Sequence, residues 1–331
     1  MANSNLLNAK RAKQDEFYTQ LSDIEKEMGA YLEYNPDVFK GKTILLPCDD
    51  PEWSNFTKYF VLHFQEFGIK KLISTSFNGG ERGKILVLDG TSGGCVNVGD
   101  IEWNYLEGDG DFRSDEVTAL RDEADMVITN PPFSLFREFM AWVFEGGCQF
   151  SAIGGINAAT YKEFFPYIKR GEVWLGYGKP AAFRVPLLDG GKDAHIPVPS
   201  WWFTNIPHGR HYDPLPLMTM EDNKRFNKRI INNPNSYMKY DNYDAIEVPA
   251  VAGIPSDYDG VMGVPLSFLD KHCPEQFEIL GSQRWSKSQE LLDVYTGDVV
   301  PPENDKKTLI NGRETYDRIF IRHIANCSPE V

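Results

Sequence analysis

Residues 42–76 read KTILLPCDDPEWSNFTKYFVLHFQEFGIKKLISTS and predict a strand, a helix and a second strand in succession. The apolar run within residues 42–48 is short and ends beside a proline, which is typical of a buried strand. Large apolar side chains then recur at helical spacing over residues 53–67, and a glycine follows them. Residues 71–76 form the next apolar run, so this stretch indicates one unit of an α/β fold.

The same alternation continues on both sides of that stretch. It predicts helices over residues 21–32, 116–123 and 159–169, and strands over residues 101–105, 125–129, 150–153 and 172–176. Residues 77–98 are rich in glycine and predict an inserted surface hairpin. Alternating strands and helices favour a doubly wound, mainly parallel sheet, and ligands of such sheets lie at the carboxyl ends of the strands.

The chain length and its composition indicate two parts. We expect residues 1–196 to form a ligand-binding catalytic core, and residues 197–331 to form a loop-rich elaboration that binds the substrate, partly packed on the core. No run of about 20 apolar residues is present, so we expect no membrane contact and a cytoplasmic location. The five scattered cysteines and six histidines lack metal-ligand spacing, which predicts reduced thiols and no metal site.

Charge is the one general property that argues against nucleic-acid binding. The formal net charge is -14, whereas a basic face is the usual mark of a DNA-binding protein. The basic residues nevertheless cluster, and each cluster is either a local phosphate contact or a solvated surface. The clusters are Lys10, Arg11 and Lys13; Lys224, Arg225, Lys228 and Arg229; and Lys306, Lys307 and Arg313.

Asn130, Pro131, Pro132 and Phe133 directly follow the predicted strand 125–129 and are the strongest chemical signal. The exocyclic amine of adenine is a poor nucleophile, because its lone pair is delocalised into the ring. The Asn130 amide oxygen and the Pro131 carbonyl can accept both amine hydrogens and direct that lone pair toward a methyl donor. The two prolines fix the backbone, and Phe133 offers a face on which an extruded base stacks. An ordinary strand-to-loop turn is the alternative.

Three further segments suit a nucleoside cofactor. The first, Phe17, Tyr18 and Thr19, offers two rings and a hydroxyl for a cofactor carboxylate, or anchors the terminus. The second, Asp111 and Phe112, places a carboxylate beside a ring that can cover an adenine, or forms a turn. The third, Asp49 and Asp50, ends the first predicted strand without a glycine-rich turn, which argues against a nicotinamide or flavin dehydrogenase.

These residues belong to a wider likeness. The chain closely resembles the EcoRI-type adenine-N6 DNA modification methyltransferases almost from end to end. The likeness is carried by several separate segments: residues 15–20, 48–51, 54–56, 108–114, 130–138, 160–163, 174–176, 239–246 and 258–265. Agreement at so many places is specific to the family.

The resemblance implies a methyltransferase core that binds S-adenosyl-L-methionine. It makes Phe17, Tyr18, Thr19, Asp49, Asp50, Asp111 and Phe112 cofactor candidates, and Asn130, Pro131, Pro132 and Phe133 catalytic candidates. It also implies double-stranded DNA as the partner, a short palindrome as the target, with GAATTC as a first guess, and a monomer. The second predicted strand ends without an acidic residue, so the ribose contact stays unassigned.

Two other functions remain open from the residues. The first is a methyltransferase with the same core that acts on another planar amine, in RNA or on a protein glutamine. The second is a catalytically silent DNA-binding or decoy protein that keeps the fold without the reaction. The acidic net charge of the chain agrees with this second function. The intact segments at residues 111–112 and 130–133 favour the active DNA enzyme.

Overall fold

The structure is a computed structural model that describes most of the chain. The described residues are 18–90, 102–180, 183–185, 194–196, 198–283, 289–297 and 307–324. The chain divides into two compact units, Met1–Ala158 with Leu175–Gly209, and Ala159–Trp174 with Arg210–Val331. This division differs from the single boundary predicted after residue 196, because residues 200–204 pair within the main sheet of the first unit.

The first unit is built around an eight-stranded sheet and carries a smaller three-stranded one. Its strands are β1 (Tyr18–Thr19), β2 (Thr43–Leu46), β3 (Lys71–Thr75), β4 (Lys84–Asp89), β5 (Asn104–Tyr105), β6 (Met126–Thr129), β7 (Gln149–Gly155), β8 (Trp174–Leu175), β9 (Phe183–Val185), β10 (Ala194–Ile196) and β11 (Ser200–Thr204). Its α-helices are α1 (Leu21–Tyr34), α2 (Asn55–Leu62), α3 (Asp115–Asp122) and α4 (Phe136–Gly146). Short 3-10 turns cover Phe133–Leu135 and Ile156–Thr160.

The eight strands have the order β5-β4-β3-β2-β6-β7-β11-β8. The pairs β3-β2, β2-β6 and β6-β7 are parallel, whereas β5-β4, β4-β3 and β7-β11 are antiparallel. The expectation of a mainly parallel sheet was therefore wrong in this respect, since the sheet is mixed. The α/β class is confirmed. The four central parallel strands place their carboxyl ends at one edge, where the following loops meet.

The predicted surface hairpin over residues 77–98 is also corrected. Strand β4 lies within the main sheet and pairs with β3 from Lys71↔Asp89 to Thr75↔Ile85. Its Leu86 side chain is fully buried, which a surface hairpin would not require. The sequence signal failed because alternation over six residues does not distinguish a hairpin from an antiparallel edge of a larger sheet. Residues 91–98 lie outside the described part of the chain.

The helix after β2 shows how the local sequence sets its start. Ser54 caps α2, since its Oγ accepts a hydrogen bond of 3.0 Å from the Phe56 amide. A capping hydroxyl satisfies an amide that has no partner within the helix. The buried face carries Phe56 and Phe60, which pack with Ile44 of β2 in the main core cluster. The helix ends at Leu62 rather than extending through the predicted residues 53–67.

The second unit contains a separate four-stranded sheet with the order β12-β13-β17-β14. Its strands are β12 (Ala245–Glu247), β13 (Val261–Pro265), β14 (Phe277–Ser282), β15 (Leu309–Ile310), β16 (Arg313–Glu314) and β17 (Arg318–His323). Its α-helices are α5 (Phe165–Lys169), α6 (Met220–Phe226), α7 (Lys228–Ile231) and α8 (Gln289–Asp293), and 3-10 turns cover Val251–Gly253 and Leu266–Lys271. Three elements cross the chain positions at which the units divide: the 3-10 turns Ile156–Thr160 and Gly209–Tyr212 and strand β8. A core around Tyr240, Tyr243 and Phe320 packs against this sheet.

Two elements are shorter than the sequence predicts. The helix expected over residues 159–169 is a 3-10 turn at Ile156–Thr160 and a five-residue helix at Phe165–Lys169. Pro166 occupies the first turn of that helix, where a missing amide hydrogen costs nothing. The strand expected over residues 172–176 is reduced to Trp174–Leu175. Within the described residues, the helices are too short or too polar for any of them to span a lipid bilayer.

Candidate active site

A cavity of about 360 Å³ opens at the carboxyl edge of the central parallel strands. We call it the strand-end cavity. Its lining comes from β1, the loops after β2, β3 and β6, the start of α2, and the segment before α3. The lining residues are Thr19, Pro47, Cys48, Asp49, Asp50, Ser54, Asn55, Phe56, Ser76, Phe77, Gly110, Asp111, Phe112, Arg113, Asn130, Pro132, Ser134 and Leu135. Its size is within the ordinary range of small-molecule sites.

The structure thus brings most of the predicted site residues to one place. Thr19, Asp49, Asp50, Asp111, Phe112, Asn130 and Pro132 all line the strand-end cavity. Pro131 is buried just beside these residues, and Phe133 packs on the core rather than lining the cavity. Phe17 lies outside the described residues, and only the backbone of Tyr18 is described. The roles assigned to these residues stay predictions.

Asp49 connects the loop after β2 to the strand that leads into Asn130. Its Oδ1 accepts a hydrogen bond of 2.6 Å from the Ser54 hydroxyl, and its Oδ2 accepts one of 2.5 Å from the Thr129 hydroxyl. The Asp49 side chain is buried, and burial raises the pKa of its carboxyl to about 7, although both hydroxyl donors act in the opposite direction. Asp49 therefore fixes the start of α2 and the residue before Asn130 relative to each other.

Asp50 is engaged differently. Its Oδ1 accepts hydrogen bonds from the amides of Glu52, at 2.8 Å, and Trp53, at 3.3 Å, so the side chain closes the turn before α2. Its Oδ2 lies 3.3 Å from the Lys84 ammonium group. Both contacts hold the loop that follows β2 in place. They also replace the glycine-rich turn that is absent from this loop, because a side-chain acceptor supplies the turn geometry.

The segment before α3 is pressed against the end of β3. Gly110 has φ +81°, and a Cβ atom on it would lie 2.2 Å from the Ser76 carbonyl oxygen. Only glycine is compatible with both the left-handed backbone and this close approach. The glycine thereby lets Asp111 and Phe112 reach the cavity, which explains why a short Asp-Gly-Asp-Phe segment occupies this position.

Phe112 and Asp111 differ in how they are held. The Phe112 ring packs edge-on against Phe139 and Trp142, at centroid distances of 5.3 Å and 5.6 Å. The Asp111 carboxylate receives two hydrogen bonds from the Arg113 guanidinium, Nε to Oδ1 at 2.9 Å and Nη2 to Oδ2 at 2.6 Å. This guanidinium holds the pKa of the Asp111 carboxyl below its usual value. Asp111 is therefore a fixed anionic acceptor at the cavity wall.

The segment from Asn130 to Phe133 begins where β6 ends. Pro132 has φ -56° and ψ 125°, and its carbonyl accepts a hydrogen bond of 3.0 Å from the Leu135 amide. This turn fixes the backbone direction of the motif. The Phe133 ring contacts Phe183 edge-on, at a centroid distance of 5.9 Å. Phe183 lies on β9, which pairs with β1 through Thr19↔Phe183.

Thr19 shows that the cavity is suited to a polar ligand. Its side chain is 4% exposed, and its Oγ1 has no hydrogen-bond partner among the described residues. The residue is held in place through its backbone, since its carbonyl accepts a hydrogen bond of 2.8 Å from Asn55 Nδ2. A buried hydroxyl without a partner is costly unless a ligand completes it. A cofactor with polar groups would satisfy this atom.

Several contributors to the site were not identified as site residues from sequence, and four of them show why. Ser54 and Thr129 hold Asp49, Arg113 holds Asp111, and Phe77 is a cavity wall that is 47% exposed. Ser54 carries a usable signal, because a serine just before an apolar helical run predicts a helix cap. Thr129 carries none, since a threonine inside an apolar strand looks the same whether or not it donates to a carboxylate.

Comparisons with known proteins give the family. A family model described as "Adenine-specific methyltransferase EcoRI" matches residues 5–324. The chain belongs to this family.

The curated relatives cover nearly the whole chain. "Type II methyltransferase M.EcoRI" from Escherichia coli is 37% identical, and the match covers 97% of each chain. "Type II methyltransferase M.MgeORF184P" from Mycoplasma genitalium is 33% identical over 95% of this chain and 97% of its own. "Type II methyltransferase M.MpnI" from Mycoplasma pneumoniae is 33% identical over 96% of this chain and 98% of its own. The family resemblance expected from the sequence is confirmed.

Proposed function

We propose that this protein transfers a methyl group from S-adenosyl-L-methionine to the N6 amine of an adenine flipped out of duplex DNA, at one specific short site. It serves as the modification enzyme of a restriction-modification system or in phage or host DNA modification. The observation that carries the proposal is the position of Asn130, which begins the Asn-Pro-Pro-Phe segment and lines the strand-end cavity together with Thr19, Asp49 and Phe112. Membership in an adenine-specific methyltransferase family supports the same reaction.

The cofactor fits the strand-end cavity by the chemistry of its walls. The buried Thr19 hydroxyl can donate to a carboxylate, and Asp111 can accept from an adenine amino group. The Phe112 ring, fixed by its aromatic neighbours, can cover an adenine ring. When bound, S-adenosyl-L-methionine supplies an electrophilic methyl group on a sulfonium centre. The donor set of this cavity therefore matches a nucleoside that also carries an amino-acid end.

The protein's own residues act on the target amine. Asn130 Oδ1 and the Pro131 carbonyl accept the two N6 hydrogens, so the nitrogen lone pair is directed out of the ring plane. The lone pair would then face the methyl group that bound S-adenosyl-L-methionine would supply, with S-adenosylhomocysteine as the leaving group and one N6 proton released to solvent. The Pro131 carbonyl and the backbone that carries the Asn130 side chain are already fixed by Pro132 and by the hydrogen bond that Thr129 donates to Asp49, so little backbone reorganisation is required.

Access to N6 requires the base to leave the helix. In duplex DNA the N6 amine of adenine is paired, and it cannot reach a cavity at the strand ends of an α/β sheet without base flipping. Phe133 is the aromatic side chain next to the acceptors, and it is partly buried with its edge against Phe183. We assign it as a stacking surface for the extruded adenine.

The test is direct methyl transfer. The purified protein is incubated with plasmid DNA and methyl-labelled S-adenosyl-L-methionine, and the DNA is then digested to nucleosides and sequenced for modified positions. The expected product is N6-methyladenine at one short sequence. Label in cytosine, in RNA alone or in protein would overturn the substrate assignment. Cofactor binding without any incorporation would identify a catalytically silent member of the family.

A further inference from the structure

The second unit contains a short basic element that the proposed chemistry does not use. Helices α6 and α7, residues 220–231, are joined at Asn227, and we call this element the α6–α7 elbow. Its outer surface carries four exposed cations, and the whole chain has a formal net charge of -14. The exposed cations are Lys224, Arg225, Lys228 and Arg229.

These cations differ from four other exposed basic residues of the second unit. Arg170, Lys239, Lys307 and Arg322 each form an ion pair with a carboxylate, at 2.6 to 2.8 Å. Within the part of the chain that the structure describes, the four cations of the elbow form no ion pair. Asp222, which lies on the same helix, is engaged with Thr219 at the helix start through a hydrogen bond of 2.9 Å.

The elbow is held rigidly from its inner side. Asn223 is fully buried and donates from Nδ2 to the carbonyls of Met218 and Thr219, at 3.2 Å and 3.1 Å. Asn227 donates from Nδ2 to Asn223 Oδ1 at 3.0 Å and to the Ala252 carbonyl at 2.9 Å. The buried Asn223 and the half-buried Asn227 thus fix the angle between the helices. Cations on a fixed backbone lose less conformational freedom when they bind a partner.

Packing at Gly253 fixes the same element from a second side. Ile230 of α7 is 2% exposed, and a Cβ atom on Gly253 would lie 2.2 Å from Ile230 Cδ1. The close contact leaves α7 no room to shift toward the 3-10 turn. The opposite face carries two exposed apolar side chains, Phe226 at 59% and Ile231 at 52%. A rigid basic surface with apolar side chains among the cations is the composition of a nucleic-acid contact.

A concave surface adjoins the elbow. It encloses about 720 Å³, and Arg229, Asn232, Asn233, Ser267 and Lys271 are among the residues that line it. Two cations, two amides and a hydroxyl supply hydrogen-bond donors, and the one carboxylate in the lining, Asp270, is paired with Arg210 at 3.0 Å. Phosphate oxygens accept from all of these groups, and amide side chains also reach base edges. The surface is therefore suited to phosphate groups, such as those of a nucleic-acid backbone.

We infer that the α6–α7 elbow docks on the phosphate backbone of the duplex DNA substrate. The inference rests on the proposed function for the choice of DNA, but its own argument is the set of unpaired cations on a rigid element. Phosphate contacts provide affinity and register without sequence information. They also release counterions, so each contact adds to the salt dependence of binding.

The experiment compares two variants with the same change in charge. In the elbow variant, Lys224, Arg225, Lys228 and Arg229 are each replaced by glutamine. In the control variant, the paired cations Lys239, Arg170, Arg322 and Lys307 are replaced by glutamine, so each variant loses two lysines and two arginines from the second unit. Binding of a short duplex is measured by fluorescence anisotropy over a series of NaCl concentrations, together with steady-state methylation kinetics.

We expect the slope of log affinity against log salt to fall in magnitude by about 3 to 4 in the elbow variant, since each phosphate contact contributes about 0.9. KM for DNA rises at least about tenfold, whereas kcat at saturating DNA and the affinity for S-adenosyl-L-methionine stay at the wild-type values. The control variant keeps the wild-type slope. A single Lys228→Gln change lowers the slope by about 1 and covers the case in which the fourfold variant fails to fold.

Three results would overturn the inference. In the first, the elbow variant keeps the wild-type slope. In the second, the slope changes equally in the elbow and control variants, which indicates a general effect of charge. In the third result, the elbow variant loses affinity for single-stranded RNA but not for duplex DNA. A wild-type protein that binds duplex DNA with the expected slope but transfers no methyl group would refute the proposed function and leave the elbow assignment standing.

Discussion

The strand-end cavity of the first unit and the α6–α7 elbow of the second unit use charged side chains in opposite ways. At the cavity, each predicted carboxylate already has protein partners: Asp49 holds Ser54 and Thr129, and Asp111 holds Arg113. On the elbow, no described carboxylate forms an ion pair with Lys224, Arg225, Lys228 or Arg229, although Glu221 and Asp222 lie on the same helix. Charges at the cavity are held by other groups of the protein and fix the cavity walls, whereas the cations on the elbow form no ion pair within the described residues. Four predictions test this contrast.

The largest expected effect on folding belongs to a paired charge in the second unit. Glu247 and Arg318 are both largely buried, and Arg318 Nε donates to Glu247 Oε2 at 2.9 Å. We expect Glu247→Gln to lower the free energy of unfolding by about 3 to 5 kcal/mol, because Arg318 keeps its charge in a buried site without a counter-ion. Urea unfolding measures this loss.

The matched control lies in the same sheet. Arg322 is on the same strand as Arg318, and its partner Glu278 is 44% exposed. Glu278→Gln is expected to cost no more than about 1 kcal/mol, as is usual for exposed pairs. Equal losses in the two variants would show that the buried Glu247 pair contributes no more to stability than an exposed pair.

Thr19 gives a test in which stability and binding move in opposite directions. Thr19→Val removes a buried hydroxyl that has no partner among the described residues, so the stability of the free protein is expected to stay equal or to rise. The affinity for S-adenosyl-L-methionine is expected to fall about tenfold, because a hydrogen bond to the cofactor is lost. Thermal unfolding and isothermal titration calorimetry measure the two quantities.

Thr204 is the control for this substitution. It is fully buried in the same unit, and its hydroxyl donates to the Phe150 carbonyl at 2.7 Å. Thr204→Val should therefore destabilise the protein by about 1 to 3 kcal/mol and leave the cofactor affinity unchanged. If Thr19→Val instead behaves like Thr204→Val, the Thr19 hydroxyl is a structural group and does not face a ligand.

The smallest effect concerns pH. Burial raises the pKa of the Asp49 carboxyl to about 7, above its value of about 3.9 in an unfolded chain. The stability contributed by this raised pKa is fully present below pH of about 4 and is lost as pH rises through about 7. Asp49→Asn removes this titration. We therefore expect the stability of the wild type, relative to Asp49→Asn, to decrease from acid to neutral pH and then to level off.

Thermal unfolding of both proteins over this pH range is the measurement. Asp37→Asn is the reference for loss of an exposed carboxylate, since the Asp37 side chain is 71% exposed. Stability curves of the wild type and Asp49→Asn that stay parallel throughout would contradict the raised pKa. They would also weaken the view that the Asp49 carboxylate is a buried part of the cavity frame.

The sequence predicted the central part of the fold because its signals are local. Residues 43–46 and 71–75 are short buried runs on either side of an aromatic helix, which is the pattern of a strand, a helix and a strand in an α/β sheet. The antiparallel pairing of β4 with β3 was missed. The direction in which β4 runs depends on which edge of the sheet is free to pair, and that edge exists only once the other strands have assembled.

The sequence predicted part of the candidate site, as it predicted part of the fold. The segments at residues 49–50, 111–112 and 130–133 were identified because a polar pair or an Asn-Pro-Pro run after a strand is visible in one dimension. The contacts of Thr129 and Arg113 were missed because they depend on three-dimensional geometry. Thr129 bonds Asp49, which lies 80 positions away in the chain, and the Arg113 guanidinium turns back to Asp111. Phe17 lies outside the described residues, and its role stays a prediction.

The central claim is that Asn130 activates the target amine and does not hold the cofactor. Single-turnover methyl transfer and cofactor affinity, measured side by side in the wild type and Asn130→Ala, test it most directly. We predict that the rate of transfer falls by about 10² to 10³, the usual cost of removing one group that stabilises a transition state, while cofactor affinity changes less than about twofold. Transfer at the wild-type rate, or an equal loss of transfer and cofactor binding, would contradict the claim.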